Sequence, residues 1–249
     1  MAEASARGHF ESSYETEFDP PRDIDFIFYC SDTWKAVRRL ARSARVVIDL
    51  GSGGGTLLYN VARSTAGTVA GVDFSLKAIK GASRLVPRAG FACGDLLNLP
   101  VRDRAADLVL STMVIEHLDD EAFLKEAWRV LKPGGCLAIT SVMKRPWAWY
   151  YLKNSEGESV LEATHLREYG SIEEFTELLR RGGFRVARCE ASPVRFPLLD
   201  PMMRMLMRRG GISSLKGFTS SQTGNFLRKA ARVPVPGYYS IEALCIKTA

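Results

Sequence analysis

The succession of short apolar runs and helical patterns in this chain predicts an α/β protein built on a doubly wound, mainly parallel sheet. Three observations support that class. Val46, Val47, Ile48 and Leu50 make a nearly continuous apolar run, as expected of a parallel strand covered on both faces, and run straight into Gly51-Ser52-Gly53-Gly54-Gly55. Further strand-like runs then alternate with helical spacing without a break. Acidic residues, Asp49, Asp73 and Asp95, stand at or near the ends of the first three runs, where open α/β sheets bind ligands.

Residues 1–23 are polar and aperiodic, which predicts an N-terminal arm, with one domain over 24–249. Asp19-Pro20-Pro21 reads as a turn. Ile24, Phe26, Ile27, Phe28 and Tyr29 are bulky and apolar, and Trp34, Val37, Leu40 and Ala41 repeat at helical spacing, predicting a helix that packs on the sheet with Trp34 in the core. Alternating Gly51, Gly53 and Gly55 permit positive φ and close approach of a ligand, and Leu57, Leu58, Val61 and Ala62 place a helix after them.

Thr68 to Asp73 reads as the second strand. Asp73 lies 18 residues beyond Gly55, near the spacing at which a strand-end carboxylate meets ribose hydroxyls; the alternative is a part in the helix cap formed by Ser75. Gly90–Leu96 and Asp107–Ser111 are the third and fourth strands. Phe123, Ala127, Val130 and Leu131 mark a helix stopping at Lys132-Pro133-Gly134-Gly135, and Cys136–Val142 is the fifth strand. After a long connection with Trp147, Trp149, Tyr150 and Tyr151, which either roofs a pocket or packs on the sheet, a capping box Ser171-Ile172-Glu173-Glu174 opens a helix through Phe175, Leu178 and Leu179. Gly183–Ala187 starts the sixth strand and Ser240–Ile246 is the last. Between them residues 192–236 read as a helical, basic insert, a lid or substrate-recognition element.

The composition, 46% hydrophobic and 25% charged, is that of a soluble globular protein, and no apolar run approaches the roughly 18 residues of a membrane span. With an N-terminus that lacks the apolar core of a secretory signal, the expected location is cytoplasmic. The five cysteines are widely spaced, none in a CxxC pair, and no two of the three histidines stand at i, i+4, so neither a disulfide framework nor a metal site is expected. From Arg180 onward thirteen Lys/Arg face three Asp/Glu, which suits an anionic or amphipathic partner, although scattered charge is more often a solvated surface.

Taken together, Val47–Gly55, Gly71-Val72-Asp73-Phe74-Ser75, Gly94-Asp95-Leu96, Asp107-Leu108-Val109, Ile115-Glu116-His117-Leu118 and Arg129–Gly135 resemble the class I S-adenosylmethionine-dependent methyltransferases, in particular their small-molecule branch. The resemblance is close from Val46 to Val142. It implies a Rossmann-like, seven-stranded sheet, mostly parallel with an antiparallel last strand. The glycine spacing agrees: a dinucleotide site wants G-x-G-x-x-G, whose last glycine would fall at Thr56.

The resemblance also implies roles. Asp49, Gly51, Ser52 and Gly53 would hold the methionine part of S-adenosylmethionine, Asp73 the ribose, and Asp95, Leu96 and Phe74 the adenine, with Ser111 and Met113 bordering the methyl end. His117, His165 and Tyr169 are the catalytic candidates, His117 against a structural or cofactor-facing role and the other two against capping and surface roles. The expected activity is methyl transfer to an O, N or C atom of a small or medium-sized metabolite. An RNA or protein methyltransferase, or a cofactor-binding partner protein without catalysis, is the alternative; nucleic acid is disfavoured by Ser111-Thr112-Met113-Val114 where a base-binding motif would stand.

Overall fold

The apolar runs become the strands of one seven-stranded sheet, and the order of those strands puts a crevice beside the glycine turn. The structure, a computed structural model, describes residues 31–149, 153–154, 157–197 and 232–248. In chain order its elements are α1 (Ser31–Ser43), β1 (Val46–Leu50), α2 (Thr56–Ala62), β2 (Thr68–Asp73), α3 (Leu76–Leu85), β3 (Gly90–Cys93), β4 (Ala106–Thr112), a 3-10 turn (Ile115–His117), α4 (Asp120–Val130), β5 (Leu131–Lys144), α5 (Ile172–Arg181), β6 (Phe184–Pro197) and β7 (Arg232–Lys247). The sheet order is β3-β2-β1-β4-β5-β7-β6. β3 to β5 pair in parallel, whereas β7 runs antiparallel to both β5 and β6. The chain thus builds outward from β1 to β3, then returns to β1's other edge with β4, and the crevice above β1 and β4 is the switch point.

Alternation along each central strand feeds two cores. Ile48 and Leu50, Val109, Leu137 and Ile139 face the layer of α4 and α5, meeting Phe123, Leu124, Phe175 and Leu179. Val47, Leu108, Leu110 and Ala138 face α1 and α2, meeting Val37, Ala41, Leu57, Leu58 and Val61. Strands covered on both faces need no polar side, which is why their sequence is an apolar run. The predicted caps are present: Ser75 Oγ accepts from Ala78 N at 3.2 Å, and Ser171 Oγ accepts from Glu174 N at 3.1 Å. Glu174 reaches back to the Gly170 amide at 2.7 Å, one residue before the cap.

Three strands are longer than their apolar patterns. β5 starts at Leu131, paired with Ala106, and the register shift between Ala106 and Leu108 accommodates Lys132 to Gly135. β6 and β7 run for 14 and 16 residues, taking in Pro193, Pro234 and Pro236 near a second register shift. Both ends of the 192–236 stretch are therefore strand; residues 198–231, with the helices expected there, lie outside the described residues, as do the arm, Ile24–Tyr29, Tyr150, Tyr151 and the Trp34 side chain.

The end of the sheet away from the crevice is tied by charge. Asp107 accepts from the amides of Arg45 and Val46 at 3.0 and 2.8 Å and from Lys132 Nζ at 2.7 Å, which hold its carboxyl below the usual range. Arg129 bonds Glu126, Asp103 and the carbonyls of Leu99 and Val101. Lys247 Nζ donates to the carbonyls of Trp128 and Leu131 at 2.8 and 2.7 Å, closing the C-terminal end of α4. Asp107→Ala should lower unfolding free energy by about 2 kcal/mol in urea titrations, since two strand-end amides and a lysine lose one acceptor.

Candidate functional site

The site lies where β1, β2 and β4 end. Asp49 occupies the fourth position of β1, flanked by Gly71 of β2 and Leu110 of β4, and is 1% exposed. Its Oδ1 has no hydrogen-bond partner among the described residues. Burial, and secondarily the neighbouring charge of Asp73, pushes its pKa up to about 8. Asp73 ends β2 and is 6% exposed; Oδ2 accepts from Gly53 N at 2.8 Å and Oδ1 from Ser75 N at 2.9 Å. Burial raises its pKa too, and those two amides oppose the rise.

The glycine turn is bound down onto β2. Gly51 and Ser52 both donate to Val72 O, at 2.8 and 3.1 Å, and Gly55 donates to Ser52 O at 2.9 Å. The amides of Gly51, Ser52 and Gly53 are therefore spent on β2. Gly51 has φ 75°, and a Cβ there would stand 2.3 Å from Val114 Cγ2. The close approach brings the segment after β4 against the turn. Ser52 and Ser111 are buried with hydroxyls that lack a partner among the described residues. Met113 adopts φ 53°, with its amide donating to Thr140 O and Oγ1, both at 3.2 Å. A non-glycine residue in the left-handed region marks a constrained turn at the crevice.

At the far side of β2, Phe74 is half-buried and Asp95 is exposed, its Oδ1 accepting from Leu97 N at 2.9 Å. Leu96 sinks its side chain into the core, so only its backbone is available to a ligand.

Residues 48–139 match a family model described as a methyltransferase domain. The chain is 34% identical over 156 residues to a protein of Mycolicibacterium smegmatis named probable S-adenosylmethionine-dependent methyltransferase, covering 60% of this chain and 56% of that one. This chain is therefore similar over residues 48–139 to methyltransferase domains. It thus spans about half the length of that mycobacterial relative. It is also 27% identical over 229 residues, 87% of this chain and 71% of the other, to the 2-methyl-6-phytyl-1,4-hydroquinone methyltransferase of a Synechocystis species. The same fold occurs in phosphoethanolamine N-methyltransferase 2 of Haemonchus contortus in complex with S-adenosyl-L-methionine, with TM-score 0.59, 17% identity, and coverage of 98% of this chain and 57% of that one.

The segment after β4 carries a second polar group that sequence spacing did not disclose. Glu116, in the 3-10 turn, is 0% exposed; Oε2 accepts from Ser141 Oγ at 2.8 Å, and Oε1 has no partner among the described residues. Burial pushes its pKa up to about 7, opposed by His165. His165 is 2% exposed, with Nδ1 2.7 Å from Glu168 Oε1, and its ring meets that of His117 edge-on at 4.8 Å. His117 Nδ1 lies 3.1 Å from Thr164 O. The 163–168 loop is drawn here by Leu166 N donating to Glu116 O at 2.8 Å. Of the predicted catalytic candidates, His117 and His165 are thus together, and His165 is not on the surface. Tyr169 is packed on Phe175 at 4.7 Å, with a buried hydroxyl whose pKa is pushed up by burial, which suits a neutral group rather than a phenolate base. Arg167 pairs with Asp120. Trp147 and Trp149 are 67% and 71% exposed, although Trp147 lies close to Gly237 of β7. Glu116, Ser141 and Glu168 were missed as site residues; Glu116 stood in the quoted motif, but nothing in the spacing joins it to residues 165–168.

Gly51→Ala separates strain from close packing when compared with Gly134→Ala. Both glycines have φ 75°, but a Cβ at Gly134 meets nothing within 4 Å. Gly134→Ala should cost about 1 kcal/mol from backbone strain alone, and Gly51→Ala about 2 kcal/mol more from the overlap with Val114, as read by chemical denaturation.

Proposed function

We propose that the chain transfers the methyl group of S-adenosylmethionine to an O, N or C atom of a small or medium-sized metabolite. The observation that carries this reading is the pair of buried carboxylates, Asp49 and Asp73, beside a glycine turn whose amides are used internally. Such a crevice disfavours a pyrophosphate and attracts a ligand with positive charge and hydroxyls, which is what this cofactor brings. Asp49, with one unpartnered oxygen, is assigned to the methionine ammonium, and Gly51, Ser52 and Gly53 to the floor beneath it. Each Asp73 oxygen uses one lone pair on a backbone amide and retains another for a ribose hydroxyl. Asp95, the Leu96 amide and Phe74 take the adenine, and Ser111 and Met113 border the sulfonium.

The methyl group arrives activated, so the protein's main task is to hold the acceptor in line at about 3 Å in a crevice poor in water. His117 and His165, whose rings meet edge-on, are assigned to orienting it. The 192–236 stretch and the exposed Trp147 and Trp149 are assigned to acceptor recognition, and the basic charge of the C-terminal third favours an anionic or amphipathic acceptor. The Synechocystis relative is named for a long-chain hydroquinone, an amphipathic molecule of that kind. No helix among the described residues is long and apolar enough to cross a membrane, and we place the enzyme in the cytoplasm.

Two measurements test the cofactor site. Asp73→Ala should weaken cofactor binding at least tenfold by calorimetry while leaving the circular dichroism spectrum intact; unchanged affinity removes the ribose assignment. The second follows from the raised pKa of Asp49. Below about pH 8 the free enzyme holds this carboxyl protonated, and a bound ammonium favours the ionised form, so binding releases a proton. Affinity should therefore rise by up to about tenfold per pH unit between pH 6 and 7.5, and the slope should vanish in Asp49→Asn. Methyl transfer itself is tested by incubating cell extract fractions with labelled cofactor and identifying the methylated product by mass spectrometry.

A further inference from the structure

We propose that Glu116, His117 and His165 form a binding site for one divalent first-row transition-metal ion. Their potential ligand atoms all lie within 4.8 Å of one another, and the residues come from two segments that only the fold brings together. A first-row ion binds nitrogen and carboxylate oxygen at about 2.0–2.2 Å, so the three ligands close around it by side-chain rotation of roughly 1 Å.

Two independent features favour this use of the cluster. The first is the orphaned acceptor: Glu116 is fully buried, Ser141 satisfies only Oε2, and Oε1 is left without a partner among the described residues. A buried carboxylate oxygen in that condition is costly, and a bound cation removes the cost. The second is the way both rings are held. A carbonyl oxygen can only accept, so the 3.1 Å contact with Thr164 O places the proton of neutral His117 on Nδ1. Glu168 at 2.7 Å does the same for His165 with its carboxylate. Each imidazole is thereby set in the tautomer whose Nε2 is the coordinating nitrogen, with carbonyl and carboxylate as outer partners, the arrangement that orients metal-bound histidines.

Two imidazoles and one carboxylate suit zinc, cobalt, nickel or ferrous iron better than magnesium or calcium, which prefer oxygen alone. Three protein ligands leave at least one coordination position open. Val114, adjoining the 3-10 turn, packs against Gly51, so the open position belongs to the neighbourhood of the cofactor turn. On the methyl-transfer reading, and resting on it, that position takes an oxygen or nitrogen of the acceptor; binding of the ion stands independently.

The test uses the full chain freed of metal with a chelator, then titrated with Zn2+ by calorimetry and with Co2+ by visible absorption. One equivalent should bind, with Mg2+ failing to compete. His165→Ala and Glu116→Gln should each weaken binding at least about a hundredfold, and Glu168→Gln about tenfold through loss of ring orientation. Because Glu116 and His165 are buried and their variants can misfold, a measurement on the unaltered protein accompanies them. Zn2+ should shift the imidazole NMR signals of His117 and His165 and leave His9, assigned with His9→Gln, unmoved. Absence of saturable binding, binding unaltered in well-folded His165→Ala, or a shift confined to His9 overturns the proposal. None of these readouts depends on turnover, so a failure of methyl transfer and a failure of metal binding are told apart.

Discussion

Asp49 and Asp73 end neighbouring parallel strands with little access to water, and the architecture around them follows from keeping two carboxylates in that position. Burial and mutual repulsion raise the pKa of Asp49, while Asp73 is held by the amides of Gly53 and Ser75. The first of those amides comes from the glycine turn, so the turn has to fold back over β2, and it does so through the bonds of Gly51 and Ser52 to Val72. That in turn requires the left-handed φ and absent Cβ of Gly51, against which Val114 packs. One electrostatic demand therefore connects strand ends, turn conformation and the segment after β4.

The opposite end of the sheet makes this tolerable. Asp107 fastens β1 to β4 and β5, Arg129 ties the chain before β4 to α4, and Lys247 secures β7 beneath the end of the same helix. Each of these three charged groups bonds two backbone groups, so they position chain segments rather than act as isolated surface pairs, which contribute little. Several of the motif residues that resemble the methyltransferase family, Asp107, Arg129 and Lys132 among them, do this structural work, and the residues facing the crevice come from the other motifs.

Much of the fold could be read directly. β1, β2 and β4 are buried on both faces and so carry apolar runs, and the Ser75 and Ser171 caps announce their helices through short-range hydrogen bonds. The long antiparallel strands could not be read in full. β6 lies at the sheet edge, where half-exposed positions admit Arg185, Arg188 and Glu190, and the prolines of β6 and β7 are accommodated near register shifts that only pairing can create.

What the sequence determined by itself was the crevice end of β1 and β2. Asp49 through Gly55 and Asp73 lie on consecutive elements, so short-range spacing fixes strand ends and turn together. Tertiary structure alone decided the second half. Glu116 and His117 follow β4, His165 follows β5, and they meet because Glu116 O accepts from the Leu166 amide across the end of the sheet. A contact between segments far apart in the chain leaves no period in the sequence, and the burial of Glu116 exists only once those segments have closed over it.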